Sequence, residues 1–399
     1  MDVRVPVAPP PRAATPAAEQ VEADRAAAAA VAQAGPGAEE RVYVASPWRL
    51  AWWKFLRHRA AVASGIILIL LYLVAVFADF VAPYGPNDVN AQLTYAPPTP
   101  LHLFDESGFR GPYVHGLKQT IEPVALRRVF TIDTSKQYPV QFFVQGAPYK
   151  LAGLIPWDRH LYGVTDPEGA VLLAGADKLG QDVLSRTIHG TRISMSISLA
   201  AVFISLLLGI VLGGISGFYG GTADDVIQRI VEVLRSFPQL PLWLALSAAV
   251  PKNWSVTQTY FAITVLLAVL GWTGLARVVR GRFLALREED FVTAARLAGS
   301  SERRIIFRHM LPSFASHIIA SVTLAIPGAI IAETSLSFLG VGMRPPAVSW
   351  GVLLQDAQNI RAVASAPWLM LPALMVIIAV LTFNFLGDGL RDAADPYAR

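Results

Sequence analysis

The stretch from Arg277 to Pro312 reads RVVRGRFLALREEDFVTAARLAGSSERRIIFRHMLP and lies between two strongly apolar segments. It contains eight arginines and only four acidic residues. A charged stretch of this length has to stay outside the hydrocarbon of a bilayer, and its arginine excess predicts a cytoplasmic position. The stretch therefore sets the orientation of a chain that crosses a membrane several times.

Within this stretch the pattern predicts two short amphipathic helices joined by a sharp turn. Gly299 can end the first helix in a left-handed conformation, and Ser300 or Ser301 can cap the second, with Glu302 in its first turn. The alternative is a pair of helices lying on lipid headgroups. Apolar residues recur at helical spacing on both sides of the glycine, at Phe291, Ala294, Ala295, Ala298, Ile305, Ile306 and Met310.

The composition of the whole chain agrees with a membrane protein. Of its 399 residues, 54% are hydrophobic and only 16% are charged, which favours several membrane spans. The net charge of +4 is small, and the basic residues flank apolar segments, so a nucleic-acid partner is not expected. The absence of cysteine excludes disulfides and cysteine metal sites, and the scattered histidines do not indicate a metal site.

The predicted fold class is an all-α polytopic membrane protein with a small β-rich extracytoplasmic insert. Pro/Gly-rich sequence with strand-like runs and a turn signal at residues 146–148 indicates the insert, although an irregular insertion is the alternative. The six predicted spans are about 60–82, 193–218, 236–250, 260–275, 314–339 and 368–386. The predicted parts are a disordered cytoplasmic tail at 1–46, an interfacial amphipathic helix at 47–59, the first transmembrane helix at 60–82, the insert at 83–186, a five-helix core at 187–388 with its loop at 277–312, and a cytoplasmic C-terminus at 389–399.

Two features inside the predicted spans point to packing or function. Gly209, Gly213 and Gly217 form a repeated face of small residues that allows close helix approach, either within this chain or against a partner. Glu333 lies near the outer end of the fifth span. An acid at that depth indicates a transport path or gate, whereas a hydrated or capping carboxylate is the alternative.

The sequence contains no phosphate-binding loop. None of its six lysines follows a glycine, so the G-x-x-x-x-G-K-[ST] motif is absent. No nucleophile–base pair or carboxylate pair indicates an enzyme either. We therefore predict a non-enzymatic chain with no catalytic or metal-binding residues.

The segment from Thr293 to Pro312 resembles the cytoplasmic coupling loop of ABC importer permeases. That pattern is E-A-A, three residues, G, nine residues, then I-x-L-P. Thr293 replaces the opening glutamate, and His309 replaces the isoleucine, as is common in the peptide/opine/nickel branch. The residues that match in identity and spacing are Ala294, Ala295, Gly299, Leu311 and Pro312.

Two further stretches resemble the same branch, in the same order along the chain. GADKLGQDVLSR at 175–186 is similar to G-T-D-x-x-G-R-D-x-x-S-R, with Ala176 and Gln181 as departures. NFLGDGLRD at 384–392 is similar to N-x-L-G-D-x-L-R-D. The chain is thereby identified as a C-type permease of the dipeptide/oligopeptide branch with an enlarged insert.

This resemblance implies a type I importer fold in an inner membrane with both termini cytoplasmic. It implies partners as well: a second homologous permease, two ATP-binding cassette subunits, an extracytoplasmic substrate-binding protein and membrane lipid. No cofactor is expected on this chain, since ATP and Mg would bind the partner ATPases. The residues implied to dock the ATPase are Asp290, Thr293, Ala294, Ala295, Arg296, Gly299, Ser300, Ser301, Arg304, His309, Leu311 and Pro312.

The expected cargo is di- or oligopeptide, with oligosaccharide or another small solute as the alternative. Two other classes stay open at this point. An ATP-independent secondary transporter would normally carry paired ionisable groups at mid-membrane depth, and none is apparent. A non-transporting membrane scaffold would use the insert to hold partners.

Overall fold

The structure, a computed structural model, describes residues 47–105, 108–123, 128–151 and 153–394. The predicted tail at 1–46 and the last residues, 395–399, lie outside the described residues. The chain divides into a unit that ends at Lys54 and a unit that begins at Phe55. In the first unit, helix begins at Pro47, and the Arg49 guanidinium lies 5.0 Å from the ring centroid of Trp53.

Helices dominate the described chain. They are α1 (Pro47–Arg57), α2 (Arg59–Val76), α3 (Ala78–Val81), α4 (Val183–Tyr219), α5 (Gly221–Ser236), α6 (Gln239–Ala248), α7 (Val256–Leu286), α8 (Asp290–Leu297), α9 (Glu302–Arg304), α10 (Leu311–Ser313), α11 (Ala315–Phe338), α12 (Trp350–Leu353), α13 (Ile360–Ser365) and α14 (Leu371–Ala394). Short 3-10 turns lie at Ala91–Leu93, Leu354–Gln358 and Pro367–Met370, and a π-turn lies at Ile305–Met310.

Five helical segments of the described chain are long and apolar enough to cross a bilayer. Their limits are Arg59–Val76, Val183–Tyr219, Val256–Leu286, Ala315–Phe338 and Pro367–Ala393. Local signals set where two of them begin. The Asp182 carboxylate accepts the Ser185 backbone N–H at 2.8 Å before α4, and a capping box of Ser255 and Gln258 precedes α7.

The predicted third span, 236–250, differs from the structure. Helix α5 ends at Ser236, Phe237 is extended, and α6 is a separate helix of ten residues. Pro238 accounts for the break, because proline excludes the helical conformation for the residue before it. At 1.5 Å per residue, α6 is about 15 Å long, roughly half the hydrocarbon thickness of a bilayer.

The glycine face of α4 packs against α7 within this chain, which answers the question left open by the sequence. A Cβ at Gly213 would lie 2.5 Å from the carbonyl oxygen of Ala276, and one at Gly217 would lie 2.6 Å from that of Arg280. Only glycine permits this approach of the two backbones. Gly209, Gly213 and Gly217 approach Leu275, Ala276 and Arg280 in that order, so the two helices run parallel.

The other spans complete the helical core, and α11 packs against both α4 and α7. Helices α2, α11 and α14 share a cluster of buried apolar residues with α4 and the fully buried Trp350. The Trp350 indole N–H donates to the Thr187 carbonyl oxygen at 3.2 Å, which attaches the segment after α11 to the start of α4.

In the described residues between α3 and α4, five strands pair antiparallel. They are β1 (His102–Asp105), β2 (Gly108–Ile121), β3 (Arg128–Pro139), β4 (Gln141–Leu151) and β5 (Ile155–Gly163). The first three form one sheet in the order β1-β2-β3, and β4 pairs with β5 in a second. Val114, Tyr138, Val140 and Val171 form a small buried core beneath them.

The predicted turn at residues 146–148 was wrong. These residues lie inside β4, where the pairing with β5 shifts register between Gln145 and Tyr149. A bulge admits Gly and Pro into a strand without ending it. Gly146 is needed there because a Cβ would lie 2.5 Å from the His160 ring.

Candidate functional site

The candidate site is the elbow, defined here as residues 290–312. Its first helix, α8, ends at Leu297, and Gly299, two residues later, has a φ of +73°. The Ser300 N–H donates to the Ala295 carbonyl at 3.0 Å, and the Gly299 N–H donates to the Arg296 carbonyl at 2.9 Å. These are the two hydrogen bonds of a Schellman motif, so the left-handed glycine ends the helix as the sequence predicted.

The second half of the elbow is a continuous helical turn over residues 302–313. It widens to a π-turn between Ile305 and Met310, and the Leu311 N–H donates to the Ile306 carbonyl. Ser301 occupies the predicted cap position, although its side chain makes no capping hydrogen bond. The chain then breaks at Phe314, two residues after Pro312, before α11 begins.

A small apolar core holds the two halves of the elbow together. Val292, Ile305 and Met310 are buried and pack with Phe283 of α7 and Phe314. The two phenylalanine rings meet edge to face, with centroids 5.8 Å apart. The elbow is thereby fixed to the ends of two spans, α7 and α11.

The buried side of α8 is not the one that the sequence suggested. Val292 is buried and Ala295 is half-buried, whereas Phe291, Ala294 and Ala298 are exposed. The reason is that only the Val292 side of the helix meets the π-turn. The residues of the predicted apolar stripe therefore form part of an open surface.

Two exposed apolar side chains dominate that open surface. Leu297 is 85% exposed and Phe307 is 68% exposed. The sequence analysis named neither residue. Neither lies at the helical spacing of the residues that are buried, and this spacing is the signal that could have identified them. Both side chains therefore lie on the part of the elbow that this chain leaves uncovered.

The predicted docking residues all lie on the elbow, and most of them are exposed. Ala295, Ser300, His309 and Leu311 are half-buried. Those with exposed side chains or backbone are Asp290, Thr293, Ala294, Arg296, Gly299, Ser301, Arg304 and Pro312.

Contacts with Phe218 and Tyr219 connect the elbow to the end of α4. The Tyr219 hydroxyl donates to the Glu302 carboxylate at 2.9 Å, and the Arg296 guanidinium lies 5.7 Å from the ring centroid of Phe218. Next to them, Arg280 of α7 makes two hydrogen bonds, of 2.6 and 2.5 Å, to the Asp224 carboxylate of α5. A displacement of the elbow would therefore act on α4, α7 and α11 together.

Glu333, the candidate for a path or gate, is fully buried. Its carboxylate accepts hydrogen bonds from Ser194 of α4 at 2.9 Å and from Ser337 at 2.8 Å. The same two hydroxyls accept the backbone N–H groups of Trp350 and Met343. Glu333 therefore lies in a hydrogen-bond network that joins α4, α11 and the segment after α11, and it is not a hydrated surface carboxylate.

A second buried polar cluster lies where α4 begins. Arg186 forms an ion pair with Asp177, both of them buried. Burial raises the pKa of the neighbouring Asp182 carboxyl to about 6, although its hydrogen bonds with Ser185 oppose that shift. This cluster belongs to the GADKLGQDVLSR stretch at 175–186.

Comparisons with known proteins agree with the sequence motifs. Residues 181–399 match the family described as the binding-protein-dependent transport system inner membrane component. Residues 46–98 match the N-terminal TM domain of oligopeptide transport permease C. Residues 99–180, which contain all five strands, lie between the two matched ranges.

Individual relatives are permeases of peptide systems. The chain is 38% identical over 226 residues to the oligopeptide transport system permease protein OppC of Bacillus subtilis, covering 56% of this chain and 72% of that one. It is 31% identical over 353 residues to the glutathione transport system permease protein GsiD of Pectobacterium atrosepticum, covering 88% and 92%. Among solved structures, an inward-facing MetNI methionine ABC transporter chain aligns with a TM-score of 0.42 at 17% identity, covering 53% of this chain and 96% of that one.

Proposed function

The chain belongs to the family of inner-membrane components of binding-protein-dependent transport systems, and from this premise we propose how it works as the permease subunit of an ABC peptide importer. Its role is to form half of a translocation pathway in a type I permease fold and to couple that pathway to separate ATPase subunits. The single observation that carries the proposal is the elbow, which is fixed to two spans on one side and uncovered on the other.

The proposed topology has six crossings with both termini cytoplasmic. Support comes from the parallel arrangement of α4 and α7, since the chain between them has to return across the whole length of the pair. Helices α5 and α6 together hold 26 residues, which reach about 39 Å at 1.5 Å per residue. That length is enough to cross a hydrocarbon core of about 30 Å, so the broken pair α5–α6 would be the additional crossing.

The ATPase subunit would dock on the open surface of the elbow. The apolar side chains of Leu297 and Phe307 would fill its groove, while the surrounding arginines would pair with acidic residues at the rim. Closure of two ATPases around ATP and Mg would move the elbow. Because Val292, Ile305 and Met310 join it to α7 and α11, those spans would tilt with it.

The rest of the assembly follows from the same role. A second, homologous permease would complete the pathway, and an extracytoplasmic binding protein would deliver cargo to it. Glu333 would contribute to gating through the segment after α11, which its hydrogen-bond network holds in place. Peptide is the proposed cargo, because the oligopeptide, dipeptide and glutathione permeases are similar over long ranges.

Replacing the exposed apolar residues of the elbow tests the docking. We expect Leu297→Asp and Phe307→Asp to lose both co-purification of the ATPase subunit and peptide uptake, because a carboxylate in an apolar groove is unpaired and desolvated. Val89→Asp is the control, since Val89 is 60% exposed but lies outside the elbow. Full ATPase retention in both elbow variants would count against this docking surface.

A further inference from the structure

The β4–β5 hairpin (Gln141–Gly163) exposes an unusual amount of apolar surface. Five of its large apolar side chains are 46–82% exposed, with Leu154 at the turn the most exposed. An isolated two-stranded hairpin is marginally stable in water, and this one packs mainly on the four-residue helix α3. The hairpin therefore needs a further apolar surface against it. The five side chains are those of Phe142, Phe143, Leu154, Ile155 and Trp157.

The base of the hairpin is attached to the outer end of the first membrane helix. The Phe143 ring centroid lies 6.0 Å from that of Phe80, and His160 Nδ1 lies 2.7 Å from the Ala82 carbonyl oxygen. Phe77 and Val76, one turn earlier, are exposed on the surface that α2 presents outward. The hairpin is thus attached next to exposed apolar side chains of the first membrane helix.

The side chains of the hairpin have the composition of a membrane interface. Tyr149 and Trp157 pair across the two strands, and tryptophan and tyrosine are enriched at the level of lipid headgroups. Lys150 and Arg159 add positive charge suited to anionic headgroups, against a single acid, Asp158. From His160 to Ile155 the strand extends about 17 Å beyond this attachment.

We propose that the β4–β5 hairpin binds the outer surface of the bilayer beside the first span. Leu154, Ile155 and Trp157 insert into the headgroup region, and Lys150 contacts lipid phosphates. This contact holds the insert at a fixed height over the membrane, a role beyond transport coupling. Lipid is favoured over a protein partner because the hairpin is attached at the end of the first membrane helix, next to exposed apolar side chains of that helix.

The absence of cysteine from the chain makes a direct test available. Leu154→Cys in the full chain, carrying a nitroxide label, would be placed in liposomes of phosphatidylcholine and phosphatidylglycerol, both alone and with its co-purified partner subunits. Collision of the label with oxygen and with a water-soluble nickel chelate is then measured. We expect the oxygen-to-nickel ratio to be severalfold higher than for a label at Phe109→Cys, because oxygen concentrates in lipid.

Phe109 is the matched control, because it is 73% exposed and apolar but lies in the other sheet. Replacing Leu154 leaves the folded core intact, since that side chain is itself 82% exposed. Equal ratios at the two positions would overturn the assignment of lipid contact to this hairpin. Shielding of the Leu154 label from both reagents would overturn it as well, by indicating a protein partner.

Discussion

Gly299 sets the elbow angle through its backbone conformation and not through close packing. Its φ of +73° is one that side chains rarely adopt, yet a Cβ there would meet no atom within 4 Å. A substitution is therefore opposed by the backbone alone. For a residue other than glycine the left-handed conformation costs on the order of 1–2 kcal/mol.

We expect Gly299→Val to act on the turn through this backbone preference. A cost of this size shifts the population of the turn by roughly 5–30-fold, so we expect peptide uptake to fall by about tenfold or more. The amount of chain inserted in the membrane should not change. Uptake of a labelled peptide and immunoblotting of membranes measure the two quantities. Gly281→Val in α7 is the control, because that glycine also has open space around it but no positive φ. Normal uptake by the Gly299 variant would argue against a coupling role for the turn.

Asp182 gives a pH-dependent prediction. Burial raises the pKa of this carboxyl from 3.8 to about 6, so the folded state binds the proton more tightly than the unfolded state does. Between pH 4 and 6, stability should therefore fall as the pH rises. Above pH 6 the ionised carboxylate costs the folded state about 3 kcal/mol.

Asp182→Asn keeps an oxygen that can cap α4 but removes the charge. We expect a higher apparent melting temperature at pH 7.5 and little gain at pH 4.5, measured by thermal unfolding of the purified protein in detergent. Asp166→Asn, at an exposed position, should shift neither value. An equal gain at both pH values would mean that the charge of Asp182 is not the cause.

Among the helices, strands and turns, the sequence predicted the features that depend on a local residue pattern. The long apolar helices, the left-handed turn at Gly299 and the family all follow from hydropathy, glycine and motif spacing. The break at Phe237 follows from the local effect of Pro238, which the predicted third span did not take into account, whereas the bulge at 146–148 depends on how β4 pairs with β5. Likewise, Val292 is buried and Leu297 exposed because of where the π-turn packs, which no periodicity in α8 encodes.

Two adjacent glycines of α4 test its packing on α7. Gly213 and Gly214 are adjacent, but a Cβ at Gly213 would lie 2.5 Å from a backbone oxygen, whereas one at Gly214 would lie 3.6 Å from the Phe283 ring. We expect Gly213→Ala to cost about 1–3 kcal/mol and to lower the melting temperature. Gly214→Ala should leave it nearly unchanged. Similar melting temperatures for the two variants would contradict the close approach of α4 and α7 at Gly213.

For the whole molecule, the parallel pair α4–α7 constrains the topology. Parallel neighbours that both cross the membrane require a return crossing between them, and α5–α6 is the chain available for it. With that crossing, the insert and the turn before α7 lie on one side of the membrane and the elbow on the other. Without it, the insert and the elbow would share a side.

Single cysteines in the cysteine-free chain distinguish these two topologies in intact cells. Thr134→Cys reports on the insert, Asn253→Cys on the turn before α7 and Ser301→Cys on the elbow, all at exposed positions. With a membrane-impermeant maleimide, we expect labelling at 134 and 253 without permeabilisation, and labelling at 301 only after it. The unsubstituted chain should stay unlabelled. If 134 and 301 reacted alike in intact cells, the six-crossing topology would be wrong, and the elbow could not reach a cytoplasmic ATPase.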